Sequence, residues 1–265
     1  MIHARTGIFF EDGKKDLFAS KLSPLIIEMG FSSFIDLYYL LKYDNRDEDW
    51  LKIIDALSVQ ETYFWREYDQ VRTLVDVLVP DWAEQFPGQT VRIWSAACAS
   101  GEEALSIAIA LNEAGWFDKV PIDIVASDAS PLALEKARKG VYRARAFRAL
   151  PPALKGKYFM PYRPAENHSE PLWQVVPEIH GRIRWRLVNL ADTRETAVLA
   201  NTPFIFCRNV FIYFSAEAIQ KTVETFFNAM PVPGYLFIGA SESLFRITTQ
   251  FALREINGAF VYIKS

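Results

Sequence analysis

The sequence predicts an α/β fold with a largely parallel sheet, preceded by a small helical lobe. Three observations carry that expectation. From residue 91 onward, short β-branched apolar runs alternate with amphipathic runs. Residues 11–86 show helical spacing instead. The tail places Asn257-Gly258 between two strand-like runs, 251–256 and 259–263, and Asn-Gly suits the tight turn of an antiparallel hairpin.

Taken in order, Asp12–Met29 reads as a helix with Pro24 as a kink or break, and Gly30 ends it. Ser32 or Ser33 caps a second helix, Phe34–Lys42. The charged connector 44–49 opens a third through Trp50–Leu57. A fourth runs from about Arg66 to Phe86, closed by Pro87-Gly88.

Val91–Trp94 is the first expected strand, and Ala104–Leu111 lies on the helix that follows it. Residues 122–127 form the second strand and end in Asp128. Asp128 or Ser130 then caps a helix from Pro131 to Gly140. Residues 141–182, rich in Arg, Pro and aromatics, interrupt the alternation. They read either as an inserted excursion with small antiparallel strands, including pieces at Leu172–Val176 and Glu178–Gly181, or as a plain surface loop. Further core strands are expected at Ile183–Val188, Phe204–Cys207 and Tyr235–Gly239, with a helix at Ala216–Met230 capped by Ser215.

Composition narrows the function. The chain has 265 residues, 51% of them hydrophobic, which is ample for a core. A net charge of −3 and a pI near 5.7 imply no basic face, so nucleic acid is not an expected partner. Cys98 and Cys207 are too few for a disulfide framework and read as reduced cytosolic thiols. His3, His168 and His180 lack metal-ligand spacing, so no metal is expected. The N-terminus lacks the long apolar region of a signal peptide, and no run of about 18 apolar residues would insert in a membrane. A cytoplasmic location follows as the expectation.

The chemistry concentrates at residues 91–103, VRIWSAACASGEE. Its small residues let a ligand approach the backbone, and Gly101 is able to take positive φ. A helix start would favour an anion, but Glu102 and Glu103 repel a phosphate, so a ligand with a cationic end suits the turn better. An ordinary strand-to-helix turn with acids in its first helical turn fits the same residues. The G-x-G-x-x-G pattern of a dinucleotide site is absent. Ligands of open α/β sheets bind beyond the carboxyl ends of the strands. There the sequence places Glu102, Glu103, Asp128, Asn189, Arg208 and Asn209, a set compatible with a nucleoside. In the helical lobe, Val59–Arg66 interleaves polar and aromatic residues. Read locally, Thr62 is either a helix cap among core aromatics or part of a site.

Six segments together carry a resemblance. They are Q-E-T-Y-F-W-R (60–66), W-S-A-A-C-A-S-G-E-E (94–103), A-S-D-A-S (126–130), N-L (189–190), F-C-R-N-V-F-I-Y-F (206–214) and G-A-S-E-S-L (239–244). From about residue 7 to 263 the chain resembles the CheR family of chemotaxis-receptor methyltransferases, which move a methyl group from S-adenosylmethionine to receptor glutamates. The resemblance implies a Rossmann-like class I S-adenosylmethionine methyltransferase sheet with a terminal antiparallel hairpin. It also implies a helical lobe and linker at 1–75, a cofactor domain at 76–265 and a small β subdomain inserted at about 145–182.

It further implies a site. Gln60, Thr62, Arg66, Glu103, Asp128, Asn189, Leu190, Arg208 and Asn209 would hold S-adenosylmethionine, leaving S-adenosylhomocysteine as product. Arg66 and Tyr213 would act on the reacting groups. The family usually has Asn at the position of Gln60, and Pro-Tyr where Ala104-Leu105 stands here, which implies a packing change. The expected partner is the cytoplasmic helices of a chemoreceptor or a similar signalling protein. The family's basic helix is represented only by Lys14, Lys15 and Lys21 around Pro24, which weakens steering by charge. Two other readings remain: a catalytically weak S-adenosylmethionine-binding regulatory or receptor-docking module, and a small-molecule methyltransferase.

Overall fold

The computed structural model describes residues 1–44, 46–163 and 170–265. Asn45 of the charged connector, and Pro164 and His168 of the excursion, lie outside the described residues.

A seven-stranded sheet dominates the molecule. In chain order its strands are β1 (Val91–Ala96), β2 (Ile122–Asp128), β6 (Ile183–Leu187), β7 (Phe204–Cys207), β8 (Gly234–Phe237), β9 (Ala252–Ile256) and β10 (Ala259–Lys264). The spatial order is β6-β2-β1-β7-β8-β10-β9. The first five are parallel, whereas β10 runs antiparallel to β8 and pairs with β9 in a hairpin. The α/β expectation with its terminal hairpin therefore holds. β3 (Val141–Arg143), β4 (Phe159–Tyr162) and β5 (Leu172–Val175) form a separate antiparallel sheet in the order β3-β5-β4. That sheet realises the excursion reading of residues 141–182 rather than the loop reading.

The strand pleat sends alternate side chains to two cores. On one face Ile93, Ile124, Phe204, Phe206 and Phe237 pack with the helices Tyr68–Gln85 and Glu102–Glu113. On the other, Trp94, Ile205, Cys207 and Leu236 pack against Ala216–Ala229. The lobe has its own core of Leu22, Leu25, Ile26, Leu37, Trp50 and Ile53.

Several element boundaries sharpen. Helix Lys15–Glu28 runs unbroken through Pro24. Ser33, not Ser32, caps the next helix, in a capping box with Asp36. Helical structure over 68–85 contains a π-turn at Leu74–Leu78 and begins at Tyr68, not Arg66. Ser130, not Asp128, accepts the capping N–H of Ala133. The piece expected to be extended at 178–181 is instead a helical turn, Pro177–His180, because Pro177 at the first helical position presets φ. Helix Thr193–Ala200, capped by Asp192, and the N-terminal turn Ile2–Thr6 were not anticipated. Among the described residues no helix is long and apolar enough to cross a membrane.

Candidate active site

The chain runs from β1 outward to β2 and β6, then returns past β1 to β7. The order reverses between β1 and β7, and a crevice forms beyond the carboxyl ends of strands at such a point. Here it consists of two adjoining recesses that share Val59, Ala97, Ala99 and Asn209. Gln60, Asp128, Asn189, Leu190 and Tyr213 line the first. Thr62, Arg66, Glu103 and Arg208 line the second. Every candidate residue therefore reaches one cleft. A roomier apolar groove in the lobe, lined by Phe9, Phe10, Phe34 and Tyr38 among others, holds none of them.

The small-residue turn makes the floor. Ala97 (φ 61°) and Ala99 (φ 49°) are both left-handed, a conformation uncommon for residues other than glycine. At Gly101 (φ 94°) a Cβ would meet the Trp185 ring at 2.7 Å, so glycine is required twice over. The two acids then part company. Glu102 is buried and accepts from Ser100 Oγ at 2.8 Å, and burial pushes its carboxyl up to about 7. Glu103 faces the cleft. Its Oε1 accepts from Ser95 Oγ at 2.6 Å and its Oε2 from Arg208 Nε at 2.7 Å. Burial raises its carboxyl above the usual range against the pull of Arg208.

Arg208 is a buried strut. Beyond Glu103 it donates to the Glu67 and Arg66 carbonyls at 3.1 and 2.6 Å and to Gln70 Oε1 at 3.2 Å. It thus ties the end of β7 to the linker that carries Thr62 and Arg66. Asn209, left-handed at φ 57°, donates from Nδ2 to Glu67 Oε1 at 3.3 Å.

Sequence reasoning assigned no role to Glu242, yet its carboxylate organises this corner. Oε2 accepts from the Asn209 and Gly239 N–H groups at 2.8 and 2.6 Å, and Oε1 from those of Phe211 and Ile212 at 2.7 and 3.3 Å. A Cβ at Gly239 would lie 2.4 Å from Asn209 Nδ2, so a glycine there lets the two loops touch. Glu242 thereby sets the path of the segment leading into Tyr213. Its position within G-A-S-E-S-L was the one available signal.

Asp128 accepts from the backbone N–H of Ala99 (2.8 Å) and Ser130 (2.9 Å). Burial raises its carboxyl, and those N–H groups oppose the shift. Gln60 donates to Ser130 Oγ at 3.0 Å and accepts from Lys136 Nζ at 2.9 Å. Asn189 donates to the Arg5 carbonyl at 2.7 Å, which brings Thr6 and Ile8 of the N-terminal segment to the cleft wall. Leu190 is buried beside it. Thr62 sits in the cleft wall rather than at a helix N-cap. Arg66 donates from Nη1 to the Glu61 carbonyl at 2.9 Å. Burial raises the Tyr213 phenol, with Arg66 opposing, so it is a protonated donor at neutral pH.

The donor set answers what ligand fits. Asp128 has carboxylate lone pairs and, among the described residues, no cation bonded to it, and Glu67 and Glu242 lie behind Asn209. Such a floor repels phosphates and suits a ligand with a positive centre. A nucleoside carrying a cation fits such a floor.

Two family profiles match the chain. "CheR methyltransferase, SAM binding domain" covers residues 60–260, and "CheR methyltransferase, all-alpha domain" covers residues 1–58. Among similar proteins, "Chemotaxis protein methyltransferase 2" of Vibrio cholerae is 34% identical over 99% of this chain and 89% of its own length. "Chemotaxis protein methyltransferase" of Salmonella typhimurium is 32% identical over 100% and 88%. "Chemotaxis protein methyltransferase 1" of Pseudomonas aeruginosa is 31% identical over 97% and 92%.

Proposed function

The chain belongs to the CheR methyltransferase family, and from that premise we propose that it transfers a methyl group from S-adenosylmethionine to glutamate side chains of a chemoreceptor, forming methyl esters. The observation that supports this most is the meeting of Asp128, Asn209, Arg66 and Tyr213 at one cleft whose floor favours a cation. In this reading residues 1–75 form the lobe and linker and 76–265 the cofactor domain, with an inserted subdomain at about 145–182. The receptor's cytoplasmic helices are the partner. Of the three lysines in the matching segment, Lys21 is already engaged with the Leu57 carbonyl at 3.0 Å.

Bound S-adenosylmethionine supplies a methyl already activated by its sulfonium. Asp128 would hold the ribose hydroxyls with the lone pairs its backbone N–H partners leave free. Gln60, Thr62, Asn189, Leu190 and Asn209 complete the pocket, and Glu103 and Arg208 fix its floor. The acceptor glutamate is ionised at neutral pH, with an ordinary pKa of about 4.3, so no general base is needed. Catalysis then rests on in-line positioning at about 3–3.5 Å and exclusion of water. Transfer would remove charge, the carboxylate and the sulfonium giving an ester and a thioether. An arginine that gripped the carboxylate tightly would oppose that change. Arg66 therefore orients the acceptor, and Tyr213 donates one hydrogen bond.

Labelled-methyl transfer to a purified receptor fragment, followed by mild alkali, tests the reaction class: carboxyl methyl esters release methanol, whereas N- and C-methyl products do not. Arg66→Ala and Tyr213→Phe are each expected to lower kcat by about tenfold, about 1.4 kcal/mol of transition-state stabilisation. Unchanged turnover in both variants, with cofactor still bound, overturns these two roles.

A further inference from the structure

The linker residue Glu61 belongs to the cleft wall, together with Thr62, Tyr63 and Arg66. Its carboxylate nevertheless turns outward to two arginines of the inserted segment. Arg148 Nη2 donates to Oε1 at 2.8 Å, and Arg145 Nη2 lies 3.2 Å from both oxygens. The Glu61 side chain is 50% exposed.

We propose that Arg145 and Arg148 form a carboxylate-exchange site at the mouth of the cleft, where an acidic side chain flanking the acceptor glutamate displaces Glu61. The proposal rests on the receptor-segment reading above. Three features support it. Arg148 does not depend on Glu61 for its place: its guanidinium lies 3.6 Å from the Tyr63 ring centroid and its Nη1 donates to the Arg145 carbonyl at 3.3 Å. The Glu61 backbone is anchored separately, through its carbonyl to Arg66, so the side chain is able to leave without moving Arg66. Breaking the solvent-exposed bridges to Glu61 costs little, since exposed pairs contribute only about 0–1 kcal/mol, so a carboxylate better placed on both arginines displaces it with a net gain.

The charge pattern gives the exchange a purpose. The carboxylate-rich floor that suits a cationic cofactor repels an acidic acceptor segment until the cofactor is in place. Cations at the mouth (Arg66, Lys136, Arg145 and Arg148) compensate for that repulsion. With Glu61 bound, the pair at 145 and 148 is partly neutralised. Displacing Glu61 gives it to the substrate and selects segments that carry a second acid.

The test uses the full chain and a purified chemoreceptor cytoplasmic fragment. Initial rates of ester formation give KM and kcat, and anisotropy of the labelled fragment gives affinity independently of turnover. The double variant Arg145→Gln/Arg148→Gln is expected to raise KM and Kd about fivefold with kcat within about twofold, the scale of two exposed ion pairs. Glu61→Gln is expected to lower both about two- to threefold by removing the competing carboxylate. Both shifts shrink as salt rises. A bridge that is only structural moves both variants in the same direction, and that result overturns the proposal, as does unchanged affinity in either. A chain that binds with the expected ordering but forms no ester retains the exchange site and refutes the methyl-transfer reading. Ester formation with unaltered affinities does the reverse.

Discussion

At the floor of the cleft the charged groups are engaged by the protein itself, whereas at its rim they face solvent. Arg208 and Glu103 have side chains only 2% and 12% exposed, and they share their remaining bonds with Ser95, Gln70 and the linker backbone. Arg145 and Glu61 are 78% and 50% exposed in a looser contact. The same two ion types thus do different work. The floor is rigid and holds the geometry of the turn, the linker and the segment into Tyr213. The rim is exchangeable and able to respond to a partner.

The most severe way to break this contrast is to remove one member of the floor pair. Arg208→Ala leaves Glu103 buried without its cation and is expected to cost about 3–5 kcal/mol in chemical denaturation. The double variant Arg208→Met/Glu103→Leu should recover most of that loss, because an apolar pair of similar volume tolerates burial. Cofactor affinity of the double variant by calorimetry then separates the two roles. Recovery of stability without recovery of binding assigns Glu103 to the cofactor, and recovery of both makes the pair a strut alone.

A second test concerns Glu102, the acid turned inward. Its folded carboxyl titrates at about 7, above the ordinary 4.5. The native state therefore binds more protons than the unfolded chain between those values, and stability falls as pH rises from about 4.5 to 7. Above pH 7 the full penalty is present, with an upper bound of about 3 kcal/mol. Glu102→Gln should stabilise the protein at pH 8 and change little at pH 4.5. Equal thermal shifts at the two pH values would refute this account.

Much of this was legible in the sequence. The parallel strands are short apolar runs whose period and turn signals survive in one chain, and the polar residues at their ends follow from the sheet's polarity. That only one of Glu102 and Glu103 faces the cleft was also within reach, since adjacent helical residues point about 100° apart. The role of Glu242 was not. Three of its four partners are backbone N–H groups some 30 residues away, and nearly every residue type offers such a group. Helix Thr193–Ala200 is eight residues long, too short for a periodic pattern to stand out, although its Asp192 cap was readable. Arg208 looked like a ligand residue from its place at a strand end. Its engagement by Arg66, Glu67, Gln70 and Glu103 depends on how the linker crosses the sheet.

Glu242 extends the comparison to the active loop. Glu242→Gln replaces one acceptor oxygen with a donor and leaves two of the four N–H groups facing it unsatisfied, a cost of about 1–3 kcal/mol. Because those groups belong to the segment entering Tyr213, kcat is expected to fall about tenfold while KM for the receptor fragment stays constant. A change in KM alone would place Glu242 with the rim.

Gln60 lies on the border between the two regions, and its removal should have the smallest effect. Its amide spans Ser130 of the floor and Lys136 of the rim, but neither depends on it wholly. Ser130 keeps Asp55 as acceptor and its cap to Ala133, and a lysine freed at the surface regains water. The loss in Gln60→Ala is then about 0.5–1 kcal/mol, from ordinary hydrogen bonds exchanged for solvation. If the amide also touches the cofactor, that loss appears as a two- to fivefold weaker Kd with stability unchanged. If it only braces Ser130, the same energy appears in denaturation and Kd is untouched. Gln60→Asn, which retains the amide but is one methylene shorter, sharpens the distinction. It should rescue binding only if the bound ligand draws the linker inward, and it cannot restore a bridge whose span is fixed by the fold.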